Sequence, residues 1–302
     1  EPKSIQDPSS YIAKQQHRLI EYVALQHNNA KAQQQYQQQL AEVDPSFAAK
    51  TWYLGDAEVV SDISLSADGR YALLALTDKN YTWRAEHDIM PNYLGQDGYV
   101  DAVPARARVA EDKFPGQRLV LLDLTEHVKK DITIEGLTGF DEDVLADVKQ
   151  ENAAAKGETY ESKKSPRLIQ LMQDWEWSQS AIQWHPTENK LLVMIEAVDN
   201  KDRWIASVDL DKGSLTTEHR LHDDAWVNYN FNQYGWLPNS DSFYFLSEET
   251  GYSHLYVKEV GKKVRALTQG KFVVDDVTLS PDAKHIVYRA NADHPGSYNV
   301  YR

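Results

Sequence analysis

Trp236-Leu237-Pro238-Asn239-Ser240-Asp241-Ser242-Phe243 sets an apolar residue, a polar turn and the opening of a strand in that order. The same unit stands at Leu65-Ser66-Ala67-Asp68-Gly69-Arg70-Tyr71, at Trp184-His185-Pro186-Thr187-Glu188-Asn189-Lys190-Leu191 and at Leu279-Ser280-Pro281-Asp282-Ala283-Lys284-His285-Ile286. Pro, Asp, Asn and Gly in the turn close a hairpin, and the strand that follows feeds a core. Trp184 to Trp236 is 52 residues and Trp236 to Leu279 is 43. A four-stranded propeller blade takes about 40–50 residues, so both intervals are blade-sized. A β-sandwich also has many short strands, but it does not predict a turn-plus-strand unit recurring at this period. The fold class is therefore all-β, a partial β-propeller of about four to five blades. The 119 residues from Leu65 to Trp184 leave room for two blades and two insertions.

Working outward, strand signals rich in β-branched and aromatic residues fall at Ala72–Leu76, Arg118–Leu124, Lys190–Ile195, Trp204–Asp209, Ser242–Leu246, His254–Lys258 and His285–Tyr288. Two stretches interrupt them. His87–Gly116 holds proline and glycine turns without periodicity and reads as a long insertion. Asp141–Lys156 reads as a short acidic helical insertion ended by Gly157. Ahead of Thr51, residues from Ser9 to Leu40 read as a helix with Ile12, Leu19, Ile20 and Val23 on one stripe. Docking of that stripe on its own protein is the expectation, with a homodimer contact as the alternative. The organisation is thus an N-terminal helical segment, 1–50, and a propeller domain, 51–302, that is expected to continue beyond Arg302. An open arc of blades would leave an unpaired face there.

The chain has 302 residues, 41% of them hydrophobic, enough to bury a proper core. A formal charge of −14 makes a surface that repels phosphate backbones, so nucleic acid is not an expected partner. No cysteine is present, which excludes disulfides, thiolate metal sites and a Cys nucleophile together. No apolar run reaches the ~18 residues that a membrane span needs.

Catalytic motifs are missing. There is no Gly-x-Ser-x-Gly elbow, no His-Glu-x-x-His, no Gly-x-Gly-x-x-Gly and no phosphate loop, so no cofactor is expected. His219, His222, Asp223 and Asp224 form the one close cluster with metal-ligand chemistry; it reads as a solvated loop, and no metal is expected. Asp199-Asn200-Lys201-Asp202-Arg203-Trp204 reads as a hairpin with local ion pairs and a guanidinium stacked on the indole.

Three segments resemble the propeller of the dipeptidyl peptidase IV branch of the prolyl oligopeptidase family. They are Asn239–Tyr256, with its Ser-Glu turn, Gly-Tyr and His-Leu-Tyr; Asp174–Asp199, with Asp174-Trp175 and Ala181–Pro186; and Tyr81-Thr82-Trp83-Arg84. The resemblance implies a non-catalytic propeller in a serine peptidase, gating and positioning peptide substrates for its own α/β-hydrolase domain, which lies outside this chain. It implies that Arg84 hydrogen-bonds a substrate carbonyl, a task suited to an always-charged guanidinium with fixed donors. Pairing of Arg84 with Glu86 is the plain alternative. Dipeptidyl peptidases also carry a glutamate pair just after the Asp-Trp run, and here Asp174-Trp175-Glu176-Trp177 leads straight into Ser178-Gln179-Ser180. Glu176 is the single candidate carboxylate for a substrate amine; Glu248-Glu249 belongs to the strand–turn motif instead. Exopeptidase and endopeptidase readings both stay open, as does a stand-alone propeller scaffold for protein binding. A periplasmic or extracellular location follows from the family likeness and from the absence of an initiator Met at Glu1.

Overall fold

The structure, a computed structural model, describes residues 11–44, 51–93, 95, 97–108, 114–174 and 179–302. Along the chain, α1 (Tyr11–Val43) precedes β1 (Glu58–Leu65), β2 (Tyr71–Asp78), β3 (Arg84–Asn92), β4 (Asp101–Arg106), β5 (Arg118–Asp123), β6 (Val128–Asp131) and α2 (Ala146–Ala155). Then come β7 (Ile169–Leu171), β8 (Ile182–Trp184), β9 (Leu191–Ala197), β10 (Asp202–Asp209) and β11 (Ser214–His222). The last are β12 (Tyr234–Trp236), β13 (Ser242–Ser247), β14 (His254–Glu259), β15 (Arg265–Ala266), β16 (Val274–Leu279), β17 (Ile286–His294) and β18 (Ser297–Tyr301). Two compact units result: Glu1–Asp56 with Trp83–Asp112, and Ala57–Thr82 with Lys113–Arg302.

The second unit holds four antiparallel meanders that are successive propeller blades. Their strand orders are β1-β2-β5-β6, then β7 and β8 side by side on β9 followed by β10 and β11, then β12-β13-β14-β15, then β16-β17-β18. All seven strand signals read from the sequence lie on strands. The 119-residue interval is a correction: it is a single step between adjacent blades, not two. It is lengthened by the β3–β4 ribbon, inserted in sequence between β2 and β5, and by residues 132–168, which contain α2. Gly157 ends that helical stretch at φ 74°, the left-handed conformation a glycine adopts without strain.

The recurring turn has one geometry in all four places. The backbone N–H after the apolar position donates to the carbonyl five residues on: Ser66 to Tyr71, His185 to Lys190 and Leu237 to Ser242 at 2.8 Å, and Ser280 to His285 at 2.9 Å. In two copies a Ser-x-Asp pair holds the loop. Ser66 and Ser280 each donate Oγ–H to Asp68 and Asp282 at 2.6 Å, and accept the N–H of Tyr71 and His285. In the second blade His185 Nδ1 takes over, accepting the N–H groups of Thr187 and Glu188 at 3.3 and 3.1 Å. Different side chains at the same turn position thus satisfy different amides of the loop.

Stacking the blades buries both faces of their middle strands. β2 and β5 are buried almost throughout and β9 throughout, so they read as continuous apolar runs. One cluster runs from Leu73 and Leu121 of the first blade through Val193 and Trp204 of the second to Phe243 and Phe245 of the third. A smaller one joins Leu246 and Leu255 to Val274 and Val277 of the fourth. Polar locks cross the same seams: Lys258 Nζ meets Glu218 at 2.7 Å, and Glu218 also accepts from Ser207 Oγ and Gly261 N. After β6 the chain presses against β11, where Thr133 N donates to Gly213 O. A Cβ at Gly136 would land inside the carbonyl oxygen of Leu215, so only glycine fits there.

In the other unit, α1 confirms a helix from Tyr11 to Val43, but Ile12, Leu19, Ile20 and Val23 are all exposed. Within its own unit the stripe is left uncovered.

Two outcomes are expected. Gly136→Ala should lower the unfolding free energy in urea by roughly 1–3 kcal/mol or more, because the Leu215 backbone has nowhere to go. His219, buried with its Nε2 3.1 Å from Ser247 Oγ, has its pKa lowered to about 4 by burial and then by Lys258 and Arg203, despite Glu249 at 3.7 Å. The unfolded chain then binds more protons between about pH 4 and about pH 6.5, so stability is lost as pH falls through that window. The loss from this group is on the order of 3 kcal/mol, and His219→Phe should flatten the pH dependence of the urea midpoint.

Candidate functional site

The first strand of the second blade is built in two pieces. Leu171 pairs Ile195 and Ile182 pairs Val193, and between them Met172 N–H donates to Met194 O while Met194 N–H donates to Ala181 O, both at 2.9 Å. The β9 ladder is therefore unbroken: it passes from Met172 to Ala181 at a single register position, with Gln173 and Asp174 leaving it on one side and Gln179 and Ser180 rejoining it on the other. This is where Asp174-Trp175-Glu176-Trp177 lies in the chain. Glu176 itself falls outside the described residues, as do Trp175, Trp177 and Ser178.

Both roots of the excursion are fastened. On one side Asp174 Oδ2 accepts the Gln179 N–H at 2.9 Å. The Gln179 carboxamide then bridges to the next blade, donating to Asn232 O at 2.7 Å and accepting Tyr234 N–H at 3.2 Å. It does for two first strands what a backbone ladder would do. On the other side Glu196 of β9 accepts the Gln173 N–H. Glu196 faces Arg203 directly across the β9–β10 pair, with Arg203 Nε 3.3 Å from the carboxylate, and both side chains are buried. Arg203 also donates from Nη2 and Nη1 to the carbonyls of Asn228 and Asn230, so each of its three nitrogens has a partner. Burial raises the Glu196 carboxyl above its ordinary range even beside that guanidinium. Burial raises Glu248 as well; Arg203 and an Asn228 hydrogen bond partly offset it.

The Asp199–Trp204 hairpin holds a second ionic cluster. Asp202, its side chain fully buried, accepts Arg167 Nη1 at 2.5 Å, Arg220 Nε at 2.6 Å and His222 Nδ1 at 3.0 Å. Arg167 grips Asp199 bidentately, at 2.6 and 2.9 Å, and Arg220 reaches Glu142 at 2.6 Å. Burial works against it, yet Asp202 and Glu142 hold Arg220 above its usual range. Ion pairs were expected from the hairpin sequence. The guanidinium lying over Trp204 is a correction: it comes from Arg167, 5.3 Å from the ring centroid, because Arg203 is turned toward Glu196. His219 and His222 correct another reading. They lie on β11, not in a loop, and three residues apart on a strand they face opposite sides, His219 toward Ser247 and His222 toward Asp202.

Arg84 opens β3 in register with Arg106. Its guanidinium carbon lies 4.0 Å from the Trp83 ring centroid, and Nη1 donates to Pro104 O at 3.4 Å. Stacking fixes the plane of the fork and leaves its edges for polar partners. The Glu86 side chain lies outside the described residues; Arg108 pairs with Asp88 of the ribbon at 2.8 Å. The sequence reading missed Gln179 and Glu196. A glutamine in a polar stretch and a glutamate in a strand give no local sign that each fastens a distant amide.

Residues 150–302 match the family described as the dipeptidyl peptidase IV (DPP IV) N-terminal region. Among solved structures, the dipeptidyl peptidase 4 of Porphyromonas gingivalis is similar at 15% identity with a TM-score of 0.55, over 79% of this chain and 28% of that one. A Bacteroides ovatus protein described as a dipeptidyl aminopeptidase IV matches at 14% identity and a TM-score of 0.50, over 76% of this chain and 29% of its own. The chain therefore spans less than a third of the length of either structure.

Arg203→Met would strand a buried carboxylate, and should cost about 3–5 kcal/mol in urea unfolding. Without Arg203 only burial acts strongly on Glu196 and raises its carboxyl further, so the deficit should widen as pH rises above the ordinary glutamate range. Replacing Glu196 and Arg203 together by methionine should recover most of the loss.

Proposed function

The chain belongs to the family of dipeptidyl peptidase IV N-terminal regions, and from that premise we propose that it is the non-catalytic propeller of a serine peptidase. In this reading it gates and positions peptide substrates for an α/β-hydrolase domain outside the chain, in the periplasm or outside the cell.

The interruption of the first strand between Met172 and Ala181, with both of its roots fastened, is the observation that supports the reading. A propeller that only scaffolds has no need to break its first strand at one register position and tie both roots with buried or bridging side chains. A segment that must present groups to a substrate has that need, because positioning to within a fraction of an ångström governs rate. Glu176 sits within this segment, and a carboxylate there suits the cationic amine of a peptide. Arg84 is assigned the neutral end, donating to a peptide carbonyl from a fork already set by Trp83. The single glutamate favours no strict requirement for a free substrate amine, so longer peptides are accepted as well.

The test uses the longer protein that contains this chain and its hydrolase domain. Arg84→Ala should lower kcat/KM for a peptide substrate roughly 10- to 100-fold, the loss of one charge-assisted hydrogen bond, with the melting temperature unchanged. Glu176→Gln should raise KM for substrates with a free amine and spare those whose amine is blocked. Unchanged kinetics in both variants would overturn these assignments. The 302-residue chain alone should hydrolyse no prolyl amide, and inhibitor-sensitive turnover by the pure chain would refute the non-catalytic role.

A further inference from the structure

Charge is spread unevenly around α1. Two positions of a seven-residue repeat, alternately three and four residues apart, form the seam along which helices pair. Counted from Ile12, that seam is apolar or aromatic toward both ends of the helix, at Ile12, Leu19 and Tyr22 and again at Tyr36, Leu40 and Val43. Gln26, Asn29 and Gln33 stand between, and Gln15 is the one other polar member. No charged residue or histidine falls on it. Lys14, His17, Glu21, His27, Lys31 and Glu42 lie on the outer side, where His17 meets Glu21 at 3.3 Å, and Arg18 lies on a flank. Thirty-three residues carry the pattern through more than four repeats, enough to mark a pairing helix. Within its own unit nothing covers the seam: Ile12, Leu19, Tyr22, Tyr36 and Val43 are exposed and Leu40 is half-buried.

The seam also matches itself reversed. With two copies of α1 laid antiparallel about a two-fold axis between Gln26 and Asn29, Ile12 comes opposite Val43, Gln15 opposite Leu40 and Leu19 opposite Tyr36. Tyr22 then meets Gln33, and Gln26 meets Asn29. A two-fold pair needs this self-complementarity, and a different partner has no use for it. The amides gather at the centre. Gln26 Nε2 donates to Tyr22 OH at 2.8 Å, which leaves its carbonyl to accept from Asn29 of the second copy. Buried amides of this kind fix register at some cost in stability.

Charge favours the same direction. α1 carries three Lys or Arg and two Glu, so the −14 of the chain lies outside it. A parallel pair would bring both acidic remainders to one end. An antiparallel pair sends them to opposite ends of a helix about 50 Å long, far beyond the reach of screened charge. We propose that α1 is a self-association helix, pairing antiparallel with α1 of a second copy of this chain along the Ile12–Val43 seam.

The test uses the 302-residue chain and exploits its lack of cysteine. In sedimentation equilibrium its mass should be twice 34.5 kDa and should fall toward one chain on dilution. Leu19→Glu with Leu40→Glu charges both ends of the seam. It should weaken the dimer roughly 100-fold or more with helix content unchanged. Lys31→Glu, on the outer side, should leave the dimer intact. A short bis-maleimide reads the direction: Leu19→Cys and Tyr36→Cys chains, one of them isotope-labelled, should join to each other. That measurement also decides the matter should the double glutamate variant lose its helix. A monomer at every concentration, as when α1 packs on the rest of its own chain, would overturn the proposal. So would a dimer that survives the seam charges with its helix intact, or Leu19→Cys chains that join only to one another.

Discussion

A four-stranded meander has two apolar faces and can cover neither by itself. That constraint governs this molecule. Leu73, Leu121, Val193 and Phe245 are buried only because each blade lies against another, and the main core runs through three blades without a boundary. Cooperativity between neighbouring repeats follows from the same need, as in other repeat architectures. The recurring turn then has a clear job. It must reverse the chain tightly between the first and second strand of each blade, so that the second strand enters the stack in register.

Charges inside such a stack are costly unless every one has a partner. Here they come as closed sets. Asp202 accepts hydrogen bonds from three side chains, Glu218 from Lys258, Ser207 and the Gly261 N–H, and Glu196 from Arg203 and the Gln173 N–H. Each set joins segments far apart in sequence. The Asp202 set ties the stretch before the second blade to its β10–β11 edge, and the Glu196 pair ties Gln173 to the connector that follows β11. Buried polar networks of this sort specify one arrangement more than they add stability.

The second blade shows how a repeat can be interrupted without loss of its ladder. The β9 ladder runs from Met172 to Ala181 without a gap, so the blade loses little where its first strand is interrupted. The roots of the interruption were only partly legible in the sequence. Asp174-Trp175 and Glu176 could be singled out from a family likeness, and Arg84 from its place beside Trp83. Gln179 could not, because its partners, Asn232 and Tyr234, belong to the next blade.

Local signals decided the fold class. Strand-forming runs, Ser-x-Asp and proline turns, and blade-sized spacing act over a few residues or over one repeat, and a sequence displays both. Arg118–Leu124, Lys190–Ile195 and Ser242–Leu246 were read as strands for that reason. What the sequence could not fix was anything set by contacts between blades. It offered room for an extra blade where an inserted ribbon and a helix stand, put Arg203 on Trp204 where Arg167 stacks, and placed His219 and His222 in one cluster where a strand sends them apart. Side-chain direction on a strand alternates with register, and which distant group meets each face is decided only when blades stack. The propeller is thus a property of the repeat, and the site is a property of the stack.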